Sequence, residues 1–486
     1  MPRFSSCLRR SSASLLLCLS FGCGTVFAAD DGSPRERPNV LFIAVDDLND
    51  WIGCLGGHPQ AKTPNIDALA ARGVNFTRAY CASPVCNPSR TALMTGLRSS
   101  SSGVYNNEIR RVNTVCKNVV PLNTHFRANG YRVLGAGKIY HGDGDRWGEW
   151  DHYADVDGGD QPPGRGDDGG VGGIRFAPTD GRDEDMHDFH TVDYCLEQLA
   201  KPHDEPFFLA CGLHKPHMAW NVPRKYYDLF PLESIVLPQV LDTDLDDVPP
   251  AGVAMARPQH DHKLMLESGR WKEAVRGYLA AGAYCDAMIG RLMAGFDRSP
   301  HRNNTIIVFW GDHGWHLGEK QHWRKFALWE EATRAPLFFV APGVTQPRST
   351  CSRTVDFMSI YPTLCELCKL ETPRHVQGTS IVSLLKDPNA HWDRPALTTH
   401  GERNHAVRSE RWRYIRYADG GEELYDEKND PLEWKNLASE PKWADVKSDL
   451  ARWLPTENVP TPKTEKSPEA KAKTKAKKAA KRSDAK

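Results

Sequence analysis

Three acidic residues and a histidine stand at the ends of two apolar runs. Asp46-Asp47 follow Val40–Val45, and Asp312-His313 follow Thr305–Trp310 after Gly311. Carboxylate oxygens are hard ligands, so this set suits Ca2+ or Mg2+ better than Zn2+, although an imidazole blurs the preference slightly. Cys86 opens the run Cys-Asn-Pro-Ser-Arg, which puts a nucleophile near the start of a helix with Arg90 one turn beyond it. Lys138 and Lys325 supply further cations, and His141 and His214 carry rings that titrate near neutral pH. These are the parts needed to cleave an anionic ester. A metal and cations absorb the developing charge, and a histidine manages the proton of the leaving oxygen. Each part also has a plainer reading. Asp46-Asp47 could begin a loop or cap a helix. His217 competes with His214, and His322 and Arg324 compete with Lys325.

The elements that must position these groups follow from the apolar patterning. Val40–Val45, Thr305–Trp310 and Phe207–Ala210 are continuous apolar runs, as expected of strands buried on both faces, and Tyr131–Ala136 is a weaker fourth. All four deliver ionisable residues at their carboxyl ends, the edge where open α/β sheets bind ligands. Thr63-Pro64-Asn65 begins a helix that Gly73 closes, and Pro88 opens one carrying Leu93 and Met94. A long helix is expected from Trp271 to Phe296, with Val275, Tyr278, Leu279, Leu292 and Met293 toward the core. The fold class is therefore α/β, a large mixed, mainly parallel sheet sandwiched by helices, with a small antiparallel subdomain near the C-terminus. The boundaries expected are a signal peptide over 1–29, a catalytic domain over 36–395, the small subdomain over 396–455, and a disordered Lys/Ala-rich tail over 456–486. Residues 143–175, rich in Gly and Asp, read as a long loop over the site, and with the region 222–259 they are where specificity is expected to reside.

Charge and cysteine usage narrow the setting. The 486-residue chain is formally neutral, but three arginines in the leader and seven net positive charges from Pro462 onward leave the body ten charges negative. Such a body is not a nucleic-acid binder. A basic start, an apolar stretch around Leu15–Leu19 and small residues near Ala28 indicate export; Gly22-Cys23 makes lipidation a weaker alternative. No later segment is long and apolar enough to cross a bilayer. Of 13 cysteines, three fall in the leader, so an exported chain could pair some of Cys54, Cys81, Cys116, Cys195, Cys211, Cys285 and Cys351. Cys365-Glu366-Leu367-Cys368 lacks a second pair and reads as core. Oligomeric state leaves no mark in the sequence.

The run Cys86-x-Pro88-Ser89-Arg90, followed by Thr95-Gly96, resembles the maturation motif of type I sulfatases of the alkaline phosphatase superfamily, most of all the iduronate-2-sulfatase branch. Further anchors are Thr63–Asp67, Gly137-Lys138-Ile139-Tyr140-His141, Leu213–His217, Gly311–Trp315 and Leu424-Tyr425-Asp426. The resemblance implies that a formylglycine-generating enzyme oxidises Cys86 to formylglycine. A thiolate attacking sulfur would have no easy exit, whereas a hydrated aldehyde attacks through one hydroxyl and expels sulfate by collapsing through the other. It also implies one Ca2+ on Asp46, Asp47, Asp312, His313 and residue 86. Arg90 and Lys138 would support the hydrate and sulfate, Asp312 would help deprotonate the attacking hydroxyl, His141 would take the second hydroxyl's proton, and His214 and Lys325 would serve the leaving alcohol. The expected substrate is a sulfated sugar or polysaccharide, such as a 2-O-sulfated uronate, with His217, Trp220 and Arg224 as candidates for holding a carboxylate. A phosphomonoester or phosphonate hydrolase with a second metal on Asp185, His187, Asp188 and His190 is the enzymatic alternative, and a sulfoglycan-binding protein with an intact thiol is the other.

Overall fold

The computed structural model describes residues 37–109, 118–142, 148–156 and 170–462. The expected signal peptide, Cys116, most of the 143–175 loop and the tail beyond 462 lie outside the described residues. Four buried strands build the centre: β1 (Asn39–Val45), β2 (Arg132–Gly137), β3 (Phe207–Leu213) and β4 (Thr305–Gly311). They are neighbours in an eight-stranded sheet, in the order β4-β1-β3-β2, and every pairing among them is parallel. The sheet continues past β2 through the parallel strand His152–Ala154. Past β4 it continues through Leu337–Val340, antiparallel to both its neighbours, then Val74–Phe76 and Ser349–Cys351. The segment expected to be only a loop therefore also contributes an edge strand at 152–154.

Register is what turns this sheet into a site. Val45 lies opposite both Leu213 and Gly311, and Gly137 lies opposite Gly212, so the carboxyl ends of all four strands finish level. Asp46, Lys138, His214 and Asp312 emerge side by side as a consequence. The crowding there demands glycine: Gly137 has φ +76°, and a Cβ on it would lie 2.0 Å from Gly212 O.

The two faces of the sheet are covered differently. Leu41, Ile43 and Val45 pack with α2 (His187–Ala200) and the single 26-residue helix α3 (Trp271–Phe296). Val40, Phe42 and Ala44 pack with Leu93 and Met94 of α1 (Cys86–Thr95) and with Ile360–Cys365. The α1 helix begins at Cys86 itself, so Pro88 is its third residue rather than its opening one. The Pro64–Ala70 helix starts as expected but stops before Gly73. Cys365 and Cys368 are core, and all nine described cysteines are free thiols.

The antiparallel subdomain is a four-stranded sheet: β5 (Ala396–Thr399), β6 (His405–Arg408), β7 (Trp412–Arg416) and β8 (Glu422–Asp426), with consecutive strands paired. Buried Arg413 of β7 fastens it to the chain just past Lys325. Its guanidinium pairs with Glu330 and Glu427 and donates to Leu328 O at 3.0 Å. Burial pushes the Glu330 carboxyl up, but Arg408 and Arg413 outweigh it and hold that group down at about 2. Removing one partner of a buried pair leaves the other uncompensated. Arg413→Met is therefore expected to cost about 3–5 kcal/mol of unfolding free energy, read as a fall in the urea midpoint at constant slope; an unchanged midpoint would refute this anchoring.

Disorder was expected from residue 456, but the chain stays attached to Pro462. Val459 N–H donates to Ser100 O at 2.8 Å, Tyr105 Oη donates to Val459 O at 2.9 Å, and Thr461 N–H donates to Glu402 at 3.1 Å. Each uses a main-chain group of this segment, which a low apolar content does not forbid.

Candidate active site

Cys86, the expected nucleophile, is placed by its helix. Val85 is extended and caps α1, and Cys86 is the first helical residue, 1% exposed, where the helix leaves N–H groups unpaired. Arg90 lies four residues on, hence on the same face. Its Nε donates to Asp312 Oδ2 at 2.8 Å, its Nη2 to Asp46 Oδ1 at 3.3 Å, and its Nη1 to the carbonyl of Lys138. One guanidinium thus joins the ends of β1, β2 and β4. Ser89 Oγ adds a bond to Asp312 O at 2.5 Å.

Three carboxylates converge beneath Cys86. Asp46, Asp47 and Asp312 are at most 1% exposed, and Asp47 N–H donates to Asp312 Oδ1 at 3.0 Å. His313 Nε2 stands 3.3 Å from Cys86 Sγ, 3.4 Å from Asp47 Oδ1 and 3.5 Å from Asp312 Oδ1. Its Nδ1 is 3.0 Å from Gly314 O, a contact that places the proton there and turns the Nε2 lone pair toward the acids. Asp46, Cys86, Asp312 and His313 offer ligand atoms all within 4.8 Å of one another, as do Asp46, Asp47, Cys86 and His217. Asp47 Oδ2 is buried without a hydrogen bond. An oxygen-rich, desolvated nest with a lone pair aimed into it fits a hard divalent cation.

Cations line the same space. Lys138 Nζ pairs with Asp46 Oδ2, and Lys325 Nζ lies 2.6 Å from Asp47 Oδ1 and 3.1 Å from Cys86 Sγ. Of the three candidates around position 325, Lys325 is the one beside Cys86, and its neighbours' bonds point elsewhere. Arg324 pairs with Asp261 at 2.6 Å, and His322 has its nitrogens 2.8 Å from Ala256 O and 2.6 Å from Lys325 O, so it braces the lysine's backbone. Burial pushes the Asp46 carboxyl up, but Lys138, His217 and Arg90 outweigh it and hold that group well below the carboxylate range. Burial and the Asp46 charge push the Cys86 thiol up to about 12, so the encoded side chain is a poor nucleophile at neutral pH. Burial and Lys138 press His141 down to about 4, leaving a neutral ring.

His214 follows β3 directly, and its main-chain N–H donates to Asp188 Oδ1 at 2.7 Å. His217 reaches further in, with Nε2 4.0 Å from Asp47 Oδ2; the sequence offers it as a rival to His214 and as a carboxylate-binding candidate, not as a neighbour of the acids. Tyr278 was read as core, yet its hydroxyl is 2.8 Å from Asp47 O and supports the acid's backbone. Of the carboxylate-binding candidates, Trp220 is fully buried in the core and falls away, and Arg224 is exposed and pairs with Asp180 at 3.1 Å. The second-metal set does not assemble either. Asp185 accepts from Arg182 N–H at 2.8 Å and His190 Nε2 faces Glu184 O at 2.8 Å, so only His187 and Asp188 approach His214. Asp185 belongs to the short 3-10 turn Asp183–Asp185 ahead of α2, and His190 turns back toward that turn.

Buried acids, a helix-borne nucleophile and three cations at the carboxyl edge of a mainly parallel sheet define a hydrolase of anionic esters. Residues 38–370 match the family described as Sulfatase, and residues 318–459 match that described as N-sulphoglucosamine sulphohydrolase, C-terminal. The chain is 40% identical over 465 residues to a sulfatase of Formosa agariphila, covering 87% of each. It is 30% identical to mouse iduronate 2-sulfatase over 75% of this chain and 74% of that one. The structure of a phosphonate monoester hydrolase from Agrobacterium radiobacter superposes with a TM-score of 0.72 at 21% identity, over 86% of this chain and 94% of that one, which shows a shared fold alone. The chain belongs to the sulfatase family of the alkaline phosphatase superfamily and is a sulfuric ester hydrolase.

Proposed function

We propose that this enzyme removes sulfate from a sulfated saccharide outside the cytoplasm, with residue 86 carried as formylglycine and one Ca2+ held by Asp46, Asp47, Asp312, His313 and that residue. The observation that carries the reading is the position of Cys86 Sγ, 3.1 Å from Lys325 Nζ, 3.3 Å from His313 Nε2 and 3.9 Å from Asp47 Oδ1. That sulfur stands in for the hydroxyl of a formylglycine hydrate. Formylglycine at position 86 would supply two hydroxyls, one as nucleophile toward the sulfuryl group and one whose deprotonation would let sulfate leave. Ca2+ held by these residues would supply positive charge to the reaction of an anionic ester.

The chain's own groups do the rest. Three carboxylates against Arg90, Lys138 and Lys325 balance, so a divalent ion leaves the site positive toward a sulfate ester. Arg90 fixes Asp46 and Asp312, and Lys138 and Lys325 turn toward sulfuryl oxygens when substrate is bound. Burial and its acidic neighbour Asp46 raise the Asp312 carboxyl against the pull of Arg90 and His313, which suits a group that takes a proton from the attacking hydroxyl. His141 accepts the proton that accompanies sulfate release. His214 and Lys325 serve the leaving alcohol. Among the described residues no helix is long and apolar enough to cross a membrane. Export rests on the N-terminal pattern, and maturation requires a formylglycine-generating enzyme.

A relative acting on iduronate 2-sulfate makes a 2-O-sulfated uronate the first substrate to test. Incubating the calcium-loaded enzyme with disaccharides sulfated singly at uronate O2, glucosamine N or glucosamine O6 is expected to free sulfate from the first. Cleavage confined to the glucosamine esters would overturn the uronate assignment. His141→Ala is expected to slow release more than transfer, giving a burst of alcohol followed by a rate reduced about 10²–10⁴-fold. Because the ring must be neutral to accept a proton, activity should be lost only as pH falls through about 4, rather than around the 6.5 of an ordinary imidazole. An acid limb centred near 6.5 would remove His141 from this role.

A further inference from the structure

Among the buried charges around the site, Asp188 has no part in the mechanism given above. It is the second residue of α2, 1% exposed, and it faces the turn that follows β3. Oδ1 accepts the main-chain N–H of His214 at 2.7 Å and Oδ2 that of Lys215 at 2.9 Å. Oδ1 is also 3.5 Å from Nδ1 of the His214 ring. The His187 ring meets the His214 ring edge-on at 4.6 Å between centroids, which limits its rotation. Lys215 Nζ donates to Ala219 O at 2.5 Å and His217 O at 3.3 Å, closing the turn on itself. One carboxylate therefore holds the backbone of His214 and stands beside the Nδ1 edge of its ring, at the sheet edge shared with Asp46 and Lys138.

We propose that Asp188 is a positioning residue for His214, holding the Nδ1 side of the ring so that Nε2 is presented to the leaving oxygen of the sulfate ester. The inference rests on the assignment of His214 to the leaving group. A carboxylate beside Nδ1 fixes the ring's orientation and tautomer. A short acid at the helix start reaches the turn, and the His187 ring packs edge-on against the imidazole. Asp188 need not touch the substrate to act.

The leaving group reports this role. The stabilised 4-nitrophenolate departs without a proton, whereas the more basic oxygen of phenyl sulfate needs one. In the full-length, formylglycine-bearing enzyme, Asp188→Asn is expected to lower kcat on phenyl sulfate about 100-fold. On 4-nitrophenyl sulfate the expected loss is under about fivefold, with KM for both little changed. His214→Ala should show the same split, and Asp188→Asn added to it should cost nothing more. Equal losses on both substrates, or a loss that adds to that of His214→Ala, would make Asp188 a structural residue and overturn the proposal. Should Asp188→Asn fail to fold, Asp188→Glu moves the carboxylate by one methylene and is read against the same criteria. A split in His214→Ala that is missing from the Asp188 variant sinks the inference alone. A His214→Ala enzyme without the split removes the assignment of His214, and the inference with it.

Discussion

Cys86→Ser is expected to lose steady-state turnover by about four orders of magnitude or more and to accumulate protein carrying a sulfate ester at position 86. The reasoning separates attack from release. A serine at the start of α1 occupies the same place as the sulfur, beneath His313 and beside Lys325, so one hydroxyl remains to accept the sulfuryl group. It has no second hydroxyl, so release must await attack by water on a buried ester. His141 then has no proton to take. The substrate-treated variant, examined by peptide mass, should be heavier by one sulfuryl group. Wild-type-like turnover from Cys86→Ser would mean that oxidation of residue 86 is unnecessary.

Arg90→Met should be the most damaging change that leaves the nucleophile intact. The guanidinium is fully buried, joins Asp46 to Asp312, and holds the carbonyl of Lys138. Its loss leaves two carboxylates close together with Lys138 as the main remaining counter-charge for one of them. Breaking a buried pair in this way costs about 3–5 kcal/mol, and losing a preorganised donor costs about 10²–10³ in kcat. Ca2+ offsets part of the excess negative charge, so the variant's melting temperature should depend on added Ca2+ more steeply than that of the parent. A variant as stable as the parent in EDTA would show that Arg90 is not the brace of the acid nest.

The strands were legible because burial on both faces writes continuous apolar runs, and the acids at their ends were legible because the runs stop abruptly there. What no run of residues encodes is register. The site exists because Val45 lies opposite Leu213 and Gly311, and that alignment belongs to the folded sheet. Lys325 was undecided for the same kind of reason. Neighbouring Arg324 and His322 have the right chemistry, and only their bonds to Asp261 and Ala256 remove them from the site. Asp188 and Tyr278 serve from helices covering the sheet, where an acid on a first turn and a tyrosine on a core face have ordinary structural readings. The segment to Pro462 attaches through its main-chain groups, which composition does not record.

The purified enzyme, matured beside a formylglycine-generating enzyme, offers the most direct check through the mass of its residue 86 peptide, correlated across preparations with the rate of sulfate release. Activity rising in proportion to the aldehyde fraction, and vanishing where that peptide carries only cysteine, is the expected result. Undiminished desulfation by a preparation whose position 86 is entirely thiol would contradict it.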